Sequence, residues 1–314
     1  SSPPRRENSA MQFLSVVAAI ASMLIPSMPF AEHMPYLSGS GLRADRVVVV
    51  GEDIAAAPVK IDIASLGPVL TSQSALVVDA ASGAVLYEKN AHAPWTLASI
   101  VKLATAMVFL ESAPNMEERL TMQEEDDAEG GDSFIRPGQS ATARDFLKAS
   151  LLGSANNATI TLSRSARGSV AQAVRDMNAK ARSLGMHDTI FVDPTGLSPE
   201  NKSTAFDIVK LLAETGRHKE ITDIIGTHRG TIRVFPGGVS KPVLTTNHLM
   251  GSIVFVEYGK TGHLEEAGYN LAVAVAIRGG HTLYIITLGS ETNEDRVRDS
   301  KSLAIWAQNT YEWK

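Results

Sequence analysis

The chain has 314 residues, 44% of them hydrophobic, and 34 acidic against 29 basic side chains leave a formal net charge of −5. This is an ordinary globular composition, enough for one large domain or two small ones, and its acidity argues against nucleic acid as a partner, since phosphate binding needs a basic face. The absence of cysteine excludes disulfides, thiol catalysis and thiolate zinc sites, and the eight histidines form no HExxH-type pair, so neither a metal nor another cofactor is expected.

Arg5 and Arg6 precede the apolar stretch 13–25, and Pro26-Ser27-Met28-Pro29-Phe30-Ala31 follows. A charged start, a short apolar run and a terminal small residue predict a secretory signal or retained anchor over 1–31, hence an exported protein. Residues 32–70 carry Gly, Pro and Ala breaks around the run Val47–Val50 and read as a linker. A catalytic domain is expected over 71–314.

Strands are predicted at 74–79 and 84–88, joined by a turn at Ala81-Ser82-Gly83. The run 97–110 has helical spacing at Ile100, Leu103, Ala104, Met107 and Val108. The acidic run 117–132 predicts a solvated loop or hairpin. Helices follow at 142–152, 157–166 and 169–184, the last capped by Ser169 and stopped by Gly185. Asp193-Pro194-Thr195-Gly196 predicts a turn, and Ser203 a cap for a helix through 214. Strands are expected at 231–235, 255–260, 269–277 and 281–288, the last two as a hairpin across Gly279-Gly280. A helix over 294–307 closes the chain. Strands, helices, strands and a final helix predict an α+β fold: one antiparallel sheet built from both ends of the chain, flanked by helices, with a helical lobe across a cleft.

Three short motifs carry chemistry. Ser99-Ile100-Val101-Lys102 opens the first helix, where residues three apart share a face and a lysine of lowered pKa can take the proton of a serine hydroxyl. Ser154-Ala155-Asn156, between two helices, offers a hydroxyl to relay a proton and an amide to hold a peptide carbonyl. Lys260-Thr261-Gly262, at a strand end, offers a positive charge, a hydroxyl for a carboxylate and a glycine that lets a substrate backbone lie close. Each alone reads more readily as a surface pair, a helix-capping turn or a strand end meeting a turn. Together, once each and in this order, they match the motif set of penicillin-binding proteins and class A β-lactamases.

The chain resembles the D-alanyl-D-alanine carboxypeptidases and endopeptidases, the low-molecular-weight penicillin-binding proteins. The likeness covers roughly 74–306, including SALVVDAASGAVLYEKNA, LASIVKLATAMV, FVDPTGLSPENKSTAFDIVKLL and KTGHLEEAGYNLAVAV. It implies the β-lactamase-like transpeptidase fold and a serine-type D-Ala-D-Ala carboxypeptidase that trims peptidoglycan stem peptides and takes β-lactams as covalent inhibitors. It implies Ser99 as nucleophile, Lys102 as general base, Ser154 as proton relay, Asn156 as substrate-positioning residue and Lys260 as the charge on the third wall. Thr261 and Gly262 complete that wall. The backbone N–H groups of Ser99 and His263 would form the oxyanion hole, and Arg296 would grip the terminal carboxylate, with Arg298 close enough in sequence to compete for that role.

Family carboxypeptidases often carry a C-terminal β-rich domain and an amphipathic membrane helix, which do not follow Lys314 here. Any membrane attachment is therefore expected at the N-terminus. The stretch 191–212 is most similar to the shorter members that cut D-Ala crosslinks, so an endopeptidase stays open. A β-lactamase would need a carboxylate to activate the deacylating water; the second motif reads Ser-Ala-Asn rather than Ser-Asp-Asn, and Glu200 is the nearest candidate. A penicillin sensor that acylates without turnover is the third reading.

Overall fold

The computed structural model describes residues 55–128, 130 and 133–314. The expected signal and the Val47–Val50 run lie outside them. In chain order the strands are β1 (Val59–Lys60), β2 (Ser74–Asp79), β3 (Val85–Lys89), β4 (Trp95–Thr96), β5 (Arg119–Thr121), β6 (Ser140–Thr142), β7 (Lys202–Ser203), β8 (Arg229–Val234), β9 (Val239–Leu244), β10 (Phe255–Leu264), β11 (Gly268–Ala276), β12 (Thr282–Ser290) and β13 (Tyr311–Glu312). The α-helices are α1 (Lys102–Glu111), α2 (Ala143–Leu151), α3 (Asn156–Arg167), α4 (Val170–Ser183), α5 (Ala205–Thr215), α6 (Lys219–Ile225) and α7 (Asn293–Thr310).

Five strands form one antiparallel sheet in the order β10-β11-β12-β2-β3, so both ends of the chain build it, as the alternation of element types predicted. Side chains alternate between its faces. Leu76 and Val78 of β2, Ala272 of β11 and Ile286 of β12 point into a core shared with the helical lobe. Ala75 and Val77, Leu271 and Val273, and Leu283 and Ile285 point the other way, into a core closed by Leu303, Ala304 and Ala307 of α7. Both faces are dry, which is why β2 reads as an unbroken apolar run.

Helix α1 is buried on every side from Lys102 to Phe109. A helix apolar all round belongs in a core, and here it carries a lysine in with it. Around α1 the lobe packs α2, α3 and α4.

Several local expectations shift. The run 97–110 is not one regular helix: a 3-10 turn, Ala98–Val101, leads into α1, and Ala98 stands at φ +49°. The cap of α5 is Thr204, whose hydroxyl accepts from Asp207 N, whereas Ser203 lies in β7 against the Thr189 hydroxyl. Strand 231–235 is half of a hairpin, β8 with β9, and β10 runs through the Lys-Thr-Gly motif instead of stopping at Lys260. Residues 55–70, the described part of the stretch read as linker, dock on the end of the chain: β1 pairs with β13, and Trp306 Nε1 donates to Ser65 Oγ at 2.7 Å. The acidic run does form a hairpin strand and loop, but Asp126 within it is buried, held by Arg164 at 2.6 and 2.9 Å. Burial raises its pKa; hydrogen bonds from Arg164 and Gln123 outweigh that and hold it below the usual range. The pair anchors the acidic loop to α3.

Candidate active site

Strand β10 is the free edge of the sheet, and across it from the helical lobe lies a cleft of about 840 Å³. Ser99, Ser154, Asn156, Thr261, Gly262, His263 and Arg296 all line it. Lys102 and Lys260 stand just behind, both fully buried. The residues of the three motifs, with His263 and Arg296, are thus brought to one place, from segments up to 106 positions apart in the bonded pairs.

The 3-10 turn sets the geometry of Ser99 and Lys102. Lys102 Nζ lies 2.7 Å from Ser99 Oγ, 2.7 Å from Asn156 Oδ1 and 2.6 Å from the Thr195 carbonyl oxygen. Burial lowers its pKa from 10.5 to about 7, against a smaller opposing pull from Asp193. When the amine is neutral it keeps two N–H groups. Asn156 and Thr195 can accept both, which leaves the lone pair directed at the Ser99 hydroxyl.

The third acceptor comes from a loop read only as a turn. Asp193 accepts from Thr195 N at 2.7 Å, Thr195 Oγ1 at 2.6 Å, Gly196 N at 2.9 Å and Ser198 N at 2.8 Å, and from the Asn201 amide. Burial pushes its carboxyl up, but these bonds prevail and hold it low. Thr105 Oγ1 of α1 donates to the Pro194 carbonyl at 2.6 Å and ties the loop to the helix. The signal was present in the run Asp-Pro-Thr-Gly, yet nothing local says that its carbonyl faces a lysine.

Two glycines let backbone approach the turn before Ser99. A Cβ on Gly262 would sit 2.6 Å from the Leu97 carbonyl oxygen, and one on Gly196, at φ +86°, would collide with the Ala98 carbonyl. Asn270, which sequence reasoning passed over, donates to the Thr96 and Leu97 carbonyls at 2.8 and 3.3 Å and accepts from Gly289 N. A lone asparagine in a strand offers no signal of this role. The turn is therefore clamped from three directions, which sustains the left-handed Ala98.

On the opposite wall Ser154 also adopts φ +59°, and its Oγ accepts from Lys260 Nζ at 3.0 Å. Burial, then the charges of Lys102 and Arg296, lower the Lys260 pKa well below 10.5. Asn156 Nδ2 donates to the Gly130 carbonyl at 2.8 Å, fixing which way its amide points. At the far end Thr261 Oγ1 meets Thr246 Oγ1 at 2.5 Å. Arg296 Nη1 donates to the Gly262 and Asn270 carbonyls at 3.1 and 3.2 Å. Burial lowers its pKa to about 10. Arg298 is at the surface, paired with Asp295 at 2.6 Å, so of the two arginines Arg296 belongs to the cleft. Glu200 is exposed, lies outside the cleft lining and faces Lys202 at 3.9 Å. Among the described residues no cluster of metal-ligating side chains occurs.

A family model described as D-alanyl-D-alanine carboxypeptidase, peptidase S11, matches residues 62–292. The D-alanyl-D-alanine endopeptidase of Pseudomonas aeruginosa is 36% identical over 211 residues, covering 66% of this chain and 68% of that protein. The D-alanyl-D-alanine carboxypeptidase DacF of Bacillus subtilis is 29% identical over 249 residues, covering 77% of this chain and 63% of that protein. Among solved structures, penicillin-binding protein D2 from Listeria monocytogenes in its cefotaxime-bound form superposes with a TM-score of 0.68 at 30% identity, covering 77% of this chain and 98% of that one.

Proposed function

The chain belongs to the D-alanyl-D-alanine carboxypeptidase family of serine peptidases, and from that premise we propose that it removes the terminal D-Ala of peptidoglycan stem peptides through an acyl-enzyme on Ser99. The observation that carries the reading is the Lys102 amine, buried, 2.7 Å from Ser99 Oγ and lowered to a pKa of about 7. Lys102 takes the hydroxyl proton as Ser99 attacks the carbonyl of the penultimate residue. The N–H groups of Ser99 and His263 receive the oxyanion. Ser154, oriented by Lys260, hands a proton to the departing amine, and water then hydrolyses the ester. Asn156 and the β10 edge align the acyl peptide, and Thr261 with Arg296 holds the terminal carboxylate. β-Lactams acylate the same serine.

The test is D-Ala release from diacetyl-Lys-D-Ala-D-Ala, set beside cleavage of a crosslinked D-Ala peptide dimer. Carboxypeptidase turnover is expected to dominate. Weaker endopeptidase turnover is expected as well, supported by the open cleft and the 36% identical endopeptidase. Arg296→Ala should lower D-Ala release about tenfold or more, a loss of about 1.4 kcal/mol in transition-state binding. Penicillin acylation should fall less, because Lys260 and Thr261 remain. Equal peptide turnover in the Arg296→Ala variant would remove the carboxylate anchor from the scheme.

The substrate lies outside the cytoplasm, so residues 1–31 are assigned to export. A periplasm-dependent reporter fused after Leu70 should be active, with the product found outside the cytoplasm; activity confined to a cytoplasm-dependent reporter would overturn the assignment.

A further inference from the structure

We propose that the cross-strand pair Gly262–Asn270 connects the carboxylate anchor to the turn before Ser99, with Asn270 as a positioning residue, so that the substrate's terminal carboxylate speeds acylation as well as tightening binding. The inference rests on the reading above and deepens it from what Arg296 holds to what that hold does at the reacting bond.

Gly262 of β10 and Asn270 of β11 stand directly opposite each other in the sheet. Each reaches two parts of the site. Arg296 Nη1 donates to both of their main-chain carbonyls, at 3.1 and 3.2 Å. Both also bear on the turn before Ser99. Gly262 lies so close that an added Cβ would stand 2.6 Å from the Leu97 carbonyl oxygen and 3.3 Å from Ser99 N. The Asn270 side chain, fully buried, donates to the Thr96 and Leu97 carbonyls at 2.8 and 3.3 Å. The next peptide along carries the Ser99 N–H that, in the reading above, receives the oxyanion. A local irregularity gives Asn270 this reach. The β11–β12 ladder shifts register between Tyr269 and Leu271, so that Asn270 spans two residues of β12, Leu288 and Gly289, the latter at φ +71°. Bulges of this kind re-aim a side chain and gather beside active sites. Gly289 N donates to Asn270 Oδ1 at 2.8 Å, which turns the donor end of the amide toward the Ser99 turn. A carboxylate seated on Arg296 therefore fixes a guanidinium that itself holds the pair backing that turn, and hydrogen bonds in such a chain reinforce one another. Binding energy from a remote part of a substrate raises the rate only where it is realised in the transition state, and the oxyanion N–H is such a place.

The test measures single-turnover acylation by diacetyl-Lys-D-Ala-D-Ala and by the same peptide ending in D-alanine amide, separating the rate constant at saturation from the substrate Kd. Wild-type protein should be acylated by the acid about tenfold faster than by the amide at saturation, apart from any difference in Kd. Two variants should bring that ratio to about twofold or less: Asn270→Ser, and Asn270→Asp, which keeps the shape and the bond from Gly289 N but cannot donate to the turn. A rate constant at saturation does not depend on the active fraction, so the ratio stays readable in a variant that folds poorly. Arg296→Ala should lower the ratio in the same way, and adding Asn270→Ser to it should change the ratio no further. A merely structural Asn270 would slow acid and amide alike, so a wild-type ratio preserved in both Asn270 variants would overturn the inference. Equal saturated rates for acid and amide in the wild type, with the carboxylate felt only in Kd, would overturn it with no variant needed and leave the peptidase reading standing. Absence of Ser99 acylation by either peptide in the wild type would overturn the reading and the inference together.

Discussion

Ser99→Ala is expected to abolish covalent labelling by penicillin and to lower D-Ala release on the order of 10⁴-fold or more, the scale seen when a catalytic serine is removed. The size follows from the chemistry, since no acyl-enzyme forms without that oxygen. The fold should be untouched. Ser99 Oγ makes its hydrogen bond to Lys102 Nζ, which keeps Asn156 Oδ1 and the Thr195 carbonyl as partners. Among the described residues, Ser154 is the one other hydroxyl hydrogen-bonded to a buried lysine in the cleft, 3.0 Å from Lys260 Nζ. Peptide mapping of labelled wild-type protein therefore discriminates sharply. Label on Ser99 alone is expected; label on Ser154, or labelling that survives Ser99→Ala, would overturn the assignment.

Lys102→Met should reduce the acylation rate by about 10³-fold or more, because it removes the base while keeping the aliphatic stem. Wild-type acylation should also titrate. The folded pKa is lowered from 10.5 to about 7, so the amine is mostly neutral, and able to accept a proton, above about pH 7. The acylation rate should rise with pH through about 7 and then level off, and it should lie about a hundredfold below the plateau at pH 5. A profile flat between pH 5 and 9 would show that Lys102 is not the base. Stability runs the same way. Between about 7 and 10.5 the unfolded chain holds a proton here that the folded chain has released, so this group contributes more stability as pH rises and less as it falls. The base is obtained at the expense of a lysine placed where its charge is least welcome.

Much of this was legible in one dimension. The unbroken apolar run in 74–79 marked a strand because a sheet with two dry faces needs apolar residues on both, and the glycine pair at 279–280, between apolar runs, marked the hairpin of β11 with β12. Ser169 declared the start of α4 because an orphan N–H needs an acceptor, which its hydroxyl supplies to Gln172 N at 3.2 Å. Where two acceptors stood side by side, as at Ser203 and Thr204, the pattern could not choose; strand pairing of β7 with β4 took Ser203 and left Thr204 to cap.

By itself, then, the sequence determined the element order, the antiparallel sheet drawn from both ends of the chain, and the three motifs whose residue types permit nucleophilic catalysis. These depend on local spacing and on residue chemistry, and both are written along the chain. Only the tertiary structure decided that Lys102 is dry enough to be a base, that the Asp193 loop turns the Thr195 carbonyl toward it, that Arg296 and not Arg298 faces the cleft, and that β10 continues past Lys260 to Leu264 as an open edge. Burial and approach are properties of the packed whole: a pKa moves when distant segments exclude water from a group, and a backbone reaches Ser99 only where Gly196 and Gly262 lack a Cβ that would keep it away.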